Sequence, residues 1–332
     1  MRITIYLFLM MVAASSVAQT VVVHEQVSFP ERIPAGGYSG ITWLGDDQYA
    51  VVTDKERQDG FFRFTISLDE KGNIKDVVRN SFFGNDNRGR DNEGIAFFPS
   101  QNSLFISGEI DNQVREYTLN GKATGRKLAL PSVFSKATSA YGLEALTYNA
   151  TTHRFWTTTE STLSCDGKEA SLRNRIGNKL RLQSFNDNLR PCGQYLYVMD
   201  APSAKSGAKT YVLGVSALTA LDDGRLLVLE REAHIPDVKI GAFVRCSIYS
   251  VMPTDEMAIK DQKIKKAKAL EKTLVAQWTT SVGLLSYDFA NYEGMCLGPR
   301  LQDGGQVIVL ISDSQYQYGG ILQDWFRTII VY

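Results

Sequence analysis

Eight acidic residues recur at similar positions along this 332-residue chain, and carboxylates can bind cations or transfer protons. Some begin a short apolar segment, and others end the segment that follows it. The eight are Asp54, Glu93, Glu109, Glu144, Glu160, Glu230, Glu293 and Asp313. If each pair of segments forms an antiparallel hairpin, the start of the first strand and the end of the second lie at one edge. We therefore predict that all eight carboxylates gather at one end of a common axis.

Carboxylates this close together repel, and each raises the pKa of its neighbours unless a cation lies among them. Ca²⁺ suits a flexible set of carboxylate and carbonyl oxygens. Zinc is a poorer candidate because the chain has only three histidines. All eight acids are therefore predicted Ca²⁺ ligands, and Glu93, Glu144 and Glu293 are predicted catalytic residues. The alternative is that the glutamates cap backbone amides and pair with arginines as structural residues of a repeat.

Arginines beside the acids are candidates for holding an anionic substrate. Arg57, Arg90 and Arg231 each lie within three residues of one of the eight acids. A guanidinium group binds phosphate or carboxylate through paired hydrogen bonds, so these three are predicted substrate-binding residues. The alternative, that the arginines only neutralise the neighbouring acids, is equally compatible with the sequence.

Several familiar catalytic motifs do not occur in the sequence. There is no G-x-S-x-G, H-E-x-x-H, P-loop or G-x-G-x-x-G pattern. A serine triad is also disfavoured, because His153 is predicted to lie in a hairpin turn and His234 stands alone. Any hydrolytic chemistry would therefore have to depend on the acids and a metal ion.

Five hairpins of one pattern have to position the acids. Each has a short apolar strand, a turn rich in Gly, Asp, Asn or Pro, and a second strand that ends in an acid. The hairpins span residues 39–54, 93–109, 144–160, 216–230 and 293–313. Two further strand-like segments usually follow each pair, and repeated units of four antiparallel strands are typical of a β-propeller. We predict an all-β propeller with five blades, with a degenerate sixth blade or a β-sandwich as the alternatives.

The ends of the chain predict how the ring closes. Only residues 328–331 remain for a third strand after the last hairpin, so the fourth strand is predicted from residues 21–29. Such closure hides sheet edges. One insertion, residues 255–272, is rich in Lys, Glu and Ala without Gly or Pro, and is predicted to be a helix.

The N-terminus predicts export. Arg2 is followed by an apolar run and then by Ser16-Val17-Ala18, which together are typical of a cleaved signal peptide at residues 1–18. The mature protein, residues 19–332, is then a single periplasmic or secreted domain without a membrane span. Export permits disulfides, and Cys165 with Cys192 is the expected pair.

The charge balance excludes one class of partner. The sequence has 36 Lys and Arg against 36 Asp and Glu, whereas nucleic-acid-binding proteins usually have a basic surplus. We therefore expect no nucleic-acid partner.

Six ordered motifs resemble the phytase-like β-propeller family, described by the words "esterase-like activity of phytase". They are Gly36-Gly37-Tyr38-Ser39-Gly40-Ile41, Thr53-Asp54-Lys55, Asp91-Asn92-Glu93-Gly94-Ile95-Ala96, Tyr141-Gly142-Leu143-Glu144-Ala145-Leu146, Leu227-Val228-Leu229-Glu230-Arg231 and Asn291-Tyr292-Glu293-Gly294. The resemblance runs over nearly the whole mature chain. It implies an exported propeller with phosphoesterase or esterase activity.

These observations lead to one main functional hypothesis and two alternatives. The main hypothesis is an exported, Ca²⁺-dependent hydrolase that acts on phosphoesters or other esters, with a small anionic or ester molecule as its substrate. A lactonase-like reaction would use the same groups. The other alternative is a propeller that binds a ligand without catalysis, since the fold alone does not define an activity.

Overall fold

The chain folds into five antiparallel sheets arranged in a ring. The computed structural model describes residues 20–137, 142–205, 207–260, 263–284 and 287–332, and the predicted signal peptide lies outside them. Regular structure in these residues is β-strand apart from short 3₁₀ turns. The prediction of a five-bladed, all-β propeller is confirmed, and the sheets leave no strands for a sixth blade among the described residues.

Each blade contains its strands in chain order. The chain starts with β1 (Val21–Val23) and β2 (Val27–Ser28). Blade 1 consists of β3 (Tyr38–Gly45), β4 (Gln48–Thr53), β5 (Gln58–Leu68) and β6 (Ile74–Arg88). Blade 2 consists of β7 (Asn92–Phe98), β8 (Ser103–Gly108), β9 (Gln113–Thr118) and β10 (Ala123–Lys127).

The other three blades follow the same order. Blade 3 consists of β11 (Leu143–Asn149), β12 (Arg154–Thr159), β13 (Lys179–Phe185) and β14 (Pro191–Val198). Blade 4 consists of β15 (Thr210–Ala220), β16 (Leu226–Ile235), β17 (Phe243–Val251) and β18 (Lys272–Ser281). Blade 5 consists of β19 (Asn291–Arg300), β20 (Gln306–Asp313) and β21 (Trp325–Val331). The 3₁₀ turns are Pro99–Gln101, Ser132–Lys136, Asp255–Met257, Ile264–Lys266 and Tyr318–Gly320.

The N-terminal strands complete blade 5 and close the ring. β21 pairs with β20 on one side and with β1 and β2 on the other, in a register that sets Val22 opposite Ile330 and Val27 opposite Phe326. The predicted closure by residues 21–29 is therefore confirmed. Closure covers the edge of β21, which would otherwise present unpaired backbone groups to other chains.

The first strand of every blade lines a narrow central channel. β3, β7, β11, β15 and β19 each contact the next around the ring, and β19 contacts β3. The channel between them has a cavity volume of about 10 Å³, roughly the space that one water molecule needs. The channel is therefore a packed core with chemistry possible only at its ends.

A β-bulge interrupts each inner strand at an equivalent point. The pairing register shifts where one extra residue enters the inner strand, and a bulge of this kind re-aims the side chain it carries. We call the five residues at these points the bulge residues: Ser39, Glu93, Glu144, Ser216 and Glu293. Three of the eight acids therefore owe their direction to a bulge.

Aromatic and aliphatic side chains fill the spaces between blades. Between blades 2 and 3, the ring centroid of Phe155 lies 4.8 Å from that of Phe105 and 5.1 Å from that of Phe98. Between blades 1 and 5, Phe64 packs against Tyr38 and Phe326. These contacts fix the angle between neighbouring sheets, and so the positions of the hairpin ends they carry.

The predicted helix at 255–272 is wrong. The described residues of this segment contain only two 3₁₀ turns, and strand β18 begins at Lys272. The backbone amides of Ile259 and Leu270 donate to the carbonyls of Gln194 and Leu196, at 2.7 and 2.8 Å. Tertiary pairing with the outer strand of blade 3 therefore overrides the helical propensity of the segment.

The predicted disulfide is also absent. Cys165 and Cys192 are exposed and free, while Cys246 and Cys296 are buried thiols as expected. Arg181 lies between the two segments that carry the exposed cysteines. Its guanidinium binds both oxygens of Asp166 at 2.6 and 2.7 Å and Gln194 Oε1 at 2.7 Å. Separately, the described residues include no helix with the length and hydropathy needed to traverse a membrane.

Candidate functional site

Two rings of side chains meet at one end of the channel. The first ring consists of the bulge residues. In each blade, one residue of the second strand pairs with the residue just before the bulge. The second ring consists of the residues that directly follow these paired residues, and we call them the strand-end residues. They are Asp54, Glu109, Glu160, Arg231 and Asp313. Seven of the eight predicted acids belong to these rings, and we call those seven the acidic rim.

Glu230 does not lie in the rim, which corrects its predicted placement. It pairs in register with Val215, and its carboxylate accepts hydrogen bonds from Tyr197 Oη and Lys272 Nζ, both at 2.6 Å. The side chain thus faces the space between blades 3 and 4. Because alternate residues of a strand point to opposite faces, a shift of one position puts Arg231 where the repeat predicts an acid.

Arg231 joins three blades through ion pairs with two rim acids. One terminal nitrogen binds Glu293 and, at 3.1 Å, Asn291 Oδ1; the other binds Glu160. Gly214 makes room for this arrangement, since a Cβ there would lie 2.3 Å from Glu160 Cγ. Arg231 thus neutralises two acids in this structure, while a substrate-binding role for it stays a prediction.

The remaining acids at the centre of the rim have no cationic partner. Among the described residues, no hydrogen bond or ion pair reaches the carboxylate of Glu93 or Glu144. Burial raises the pKa of both carboxyls well above the usual range. The nearby Glu293 and Asp54 raise the pKa of Glu93 further, and Glu93 and Glu160 do so for Glu144. The Arg231 guanidinium opposes the upward pKa shift of Glu144, but among the described residues no cation forms an ion pair with either carboxylate, so their charge is fully compensated only if protons or a cation bind.

Asp54 and Asp313 approach each other across the closure between blades 1 and 5. A Cβ on Gly37 would lie 2.1 Å from Asp54 Oδ1 and 3.5 Å from Asp313 Oδ1, so only glycine fits between them. Lys55 Nζ lies 2.5 Å from Asp54 Oδ2, whereas the buried Oδ1 has no hydrogen-bond partner among the described residues. Burial raises the pKa of both aspartates. An unpartnered oxygen therefore faces this gap.

Glu109 and Glu160 differ in how they are held. The Glu109 carboxylate accepts the Gly142 backbone N–H at 2.7 Å and so fastens blade 2 to the entry of blade 3. Burial raises its pKa. Glu160 is fully buried; burial raises its pKa to about 7, although the Arg231 guanidinium opposes that shift.

Two of the predicted substrate-binding arginines lie apart from the channel. Arg90 is buried, with hydrogen bonds to Asp111 at 2.9 Å and to the Ile106 carbonyl at 3.1 Å, and it packs over Gly108. This binding holds blade 2 together, and a substrate-binding role for Arg90 stays a prediction. Arg57 is exposed, and its side chain has no ion pair within the described part of the chain. A substrate-binding role for Arg57 stays a prediction.

A lateral pocket opens beside the rim between blades 4 and 5. Its cavity volume is about 300 Å³, within the range of small-molecule sites. Arg231, Asn291 and Glu293 form its polar floor, and Gln315 and Tyr318 lie at its entrance. Sequence reasoning missed this pocket, because its walls come from separate elements; the only signal was Asn291 two positions before Glu293.

The rim suits a hard cation by its donor chemistry. Ca²⁺ prefers carboxylate oxygens and tolerates several waters among its ligands. The partnerless carboxylates of Glu93 and Glu144 and the orphaned Oδ1 of Asp54 are donors of that kind. Within the described residues, no group of three or more Asp, Glu, His or Cys side chains is already arranged to hold a metal ion. A cation at the rim would therefore rely on water for part of its coordination.

Comparison with solved structures finds distant similarities. They include an endo-arabinase from Bacteroides thetaiotaomicron (TM-score 0.45, 11% identity, 90% of this chain and 94% of that chain covered) and streptogramin B lyase (0.37, 12%, 94% and 98%). A nidogen/laminin complex gives a TM-score of 0.41 at 9% identity, with 86% and 79% covered. At these TM-scores the similarities carry no argument about function. No curated protein matches the chain.

The family comparison is decisive. Residues 33–316 match the family described as "Phytase-like: Esterase-like activity of phytase". The match includes all seven acids of the rim, Arg231 and the floor of the lateral pocket. The chain therefore belongs to the phytase-like family.

Proposed function

We propose that this chain is an exported, Ca²⁺-dependent hydrolase of esters that works at the acidic rim. The observation that carries the proposal is the pair of buried carboxylates at Glu93 and Glu144, which no hydrogen bond or ion pair reaches within the described residues. They line the channel together with Glu293, which also lines the pocket of about 300 Å³. Burying charge without a partner is costly, and functional sites are where such arrangements persist. Membership of the phytase-like family supports hydrolysis as the reaction class.

The proposed cation ligands are the rim acids without an arginine partner. Asp54, Glu93 and Asp313 influence one another electrostatically, and Glu144 lies next to Glu93. Bound Ca²⁺ would polarise the ester oxygen and increase the acidity of a coordinated water. The ion would also relieve the mutual repulsion of the carboxylates.

Glu293 is the proposed general base. It lines both the channel and the lateral pocket, and so it can reach a water at the rim and a substrate in the pocket. Asn291 and Arg231 fix its carboxylate. In the reaction, the water oxygen bonds to the carbonyl carbon or phosphorus, and Glu293 takes the water proton. The bond to the leaving oxygen then breaks, and Glu293 returns the proton to that oxygen, which gives an alcohol and the free acid and restores the base.

Activity assays with and without the cation test the proposal. The full chain is assayed with p-nitrophenyl acetate, p-nitrophenyl phosphate and phytate, in CaCl₂ or EDTA. We expect turnover in CaCl₂, its loss in EDTA, and a loss of at least 100-fold in Glu93→Gln and Glu293→Gln. The exposed Glu271→Gln is the matched control and should keep full activity. Absence of turnover with all three substrates would overturn the proposal.

One observation favours a second candidate function. The ion pairs of Arg231 with Glu160 and Glu293 tie the rim together as a rigid scaffold, as a non-catalytic binding propeller would need. In that case, removal of Ca²⁺ would leave the melting temperature unchanged, and no substrate would be turned over.

Export is the remaining part of the proposal, and it rests on the N-terminal sequence. Fractionation of a bacterium that expresses the full chain should place the protein outside the cytoplasm. Sequencing of its new N-terminus should begin at Gln19. A cytoplasmic protein that retains Arg2 would contradict this part.

A further inference from the structure

The lateral pocket has apolar walls from both flanking blades. They are formed by Val212, Ala233, Ile235, Val244, Phe289 and Leu322. A pocket of about 300 Å³ accommodates on the order of ten non-hydrogen atoms at roughly 30 Å³ each. Polar groups are confined to the floor, next to the rim, and to the entrance. An occupant would therefore place a polar group at Glu293 and Arg231 and an apolar body above them.

The charges around the pocket disfavour a polyanion. The rim holds seven carboxylates against the buried guanidinium of Arg231 and the ammonium of Lys55. Arg231 is already bound by Glu160 and Glu293, and Lys55 by Asp54. A molecule with several phosphates would be repelled by these acids, and the two cations within the rim are already bound by them. A neutral ester is not repelled by the rim acids in this way.

The segment that follows the wall residue Ile235 also exposes apolar side chains. Ile235 continues into residues 236–242, where Val238 is 69% exposed and Ile240 is 54% exposed. Lys239 Nζ, between them, donates to the Gly319 carbonyl at 2.5 Å and so joins this segment to the facing loop. This segment therefore adds exposed apolar surface next to the wall strand β16, and such surface is typical of places where apolar ligands bind.

The facing loop has an unusual backbone that shapes the entrance. Gln315, Tyr316 and Gln317 have φ angles of 46°, 55° and 59°, which non-glycine residues adopt rarely and almost never in succession. Strain of this kind persists where the surroundings impose it, and it concentrates at ligand sites. The turn brings Gln315 and Tyr318 over the pocket.

We propose that the lateral pocket binds the apolar acyl group of a carboxylic ester, so that the substrate class of this site is a neutral ester of a medium-chain acid. This inference rests on the proposed ester hydrolysis at the rim. It adds that the acyl chain lies between blades 4 and 5, with the ester carbonyl at the polar floor beside Glu293 and Arg231.

Chain-length kinetics and two pocket-filling variants test the proposal. p-Nitrophenyl acetate, butyrate and octanoate are compared, and kcat/KM should rise at least tenfold from acetate to octanoate, because the added methylenes leave water. Ala233→Leu and Val212→Phe should each lower the octanoate-to-acetate ratio at least fivefold. The matched control is Ala150→Leu, at the opposite mouth of the channel, which should keep the wild-type ratio.

A binding measurement separates failure of this inference from failure of the proposed function. Octyl p-nitrophenyl ether, which cannot be hydrolysed as an ester, is titrated calorimetrically into wild type and both variants. Binding by wild type that weakens at least fivefold in Ala233→Leu supports the pocket even if no ester is hydrolysed. Metal-dependent turnover of acetate with no gain from octanoate, or ether binding that both variants retain, overturns the inference and leaves the proposed function standing.

Discussion

Arg231 is the buried cation that holds the acidic rim together, so its loss should be costly. Replacing it with methionine leaves Glu160 and Glu293 buried without a cationic partner. We expect Arg231→Met to lower the free energy of unfolding by about 3 kcal/mol, as measured by urea denaturation at neutral pH in EDTA. The control is Arg225→Met, which removes a surface pair with Asp223 and should cost less than about 1 kcal/mol. Equal losses of unfolding free energy in the two variants would show that the ion pairs of Arg231 with Glu160 and Glu293 are not the cause.

Asp324 gives a pH dependence that can be separated from that of the rim. It is buried, its Oδ1 has no hydrogen-bond partner among the described residues, and burial raises its pKa to about 6. A carboxyl with a raised pKa contributes stability that is complete below its unfolded pKa and is lost as the pH rises through the folded value. Relative to Asp324→Asn, wild type should lose up to about 3 kcal/mol between pH 4 and pH 7.

The control for this prediction has the opposite sign. Asp303 is exposed, and hydrogen bonds from the Gly305 N–H and the Tyr332 hydroxyl lower its pKa. Its contribution is therefore present above its unfolded pKa and is lost as the pH falls. Asp303→Asn should weaken the protein towards neutral pH relative to wild type. Urea denaturation at a series of pH values measures both variants, and a wild type that tracks Asp324→Asn at every pH would contradict the prediction.

At the level of the elements, the approach of one strand to the next blade sets the geometry of the rim. Gly214 in β15 has an ordinary φ, but a Cβ there would lie 2.3 Å from Glu160 Cγ and 2.8 Å from its Oε1. We expect Gly214→Ala to cost about 1–3 kcal/mol by overpacking and by displacing Glu160 from Arg231. Gly207→Ala is the matched control, because nothing lies within 4 Å of its Cβ. The melting temperatures of the two variants, measured by thermal unfolding, test this prediction.

The alternation of the hairpins explains why the fold could be predicted, and the bulges explain why the site could be predicted only in part. Turn residues and strand lengths recur in every blade, so the blade count and the closing strand follow from the sequence. The position of a bulge, in contrast, has no recurring pattern in the sequence. A register difference of one position places Arg231, and not the predicted Glu230, in the rim. The rim therefore contains seven acids and a guanidinium in place of the eight predicted acids.

The other differences arise from contacts between distant segments. Residues 255–272 have helical propensity, yet their amides pair with β14, which precedes them by about sixty residues. The lateral pocket is likewise assembled from β15, β16, β17, β19 and the segment after β20, and none of them carries a motif for it. Local patterns report local structure, whereas these features depend on which strands meet.

For the whole molecule, the joint in blade 5 determines whether the rim exists as a ring. Asp54 and Asp313 face each other across the closure, and β1 and β2 fasten β21 in place. Deletion of residues 20–28 from the mature chain exposes the edge of β21 and removes several backbone bonds, such as that from the His24 amide to the Thr328 carbonyl at 3.0 Å. We expect the truncated chain to melt at a temperature at least 10 °C lower and to associate through the free edge, as followed by calorimetry and light scattering.

A peptide of residues 20–29 added to the truncated chain provides the internal control. If closure is the cause, the peptide should restore most of the melting temperature and suppress association, because it supplies the missing strand in trans. A peptide with the same composition in scrambled order should do neither. A truncated chain that melts like wild type would show that the remaining blades maintain the ring without the N-terminal strands. The relative position of Asp54 and Asp313 would then not depend on closure.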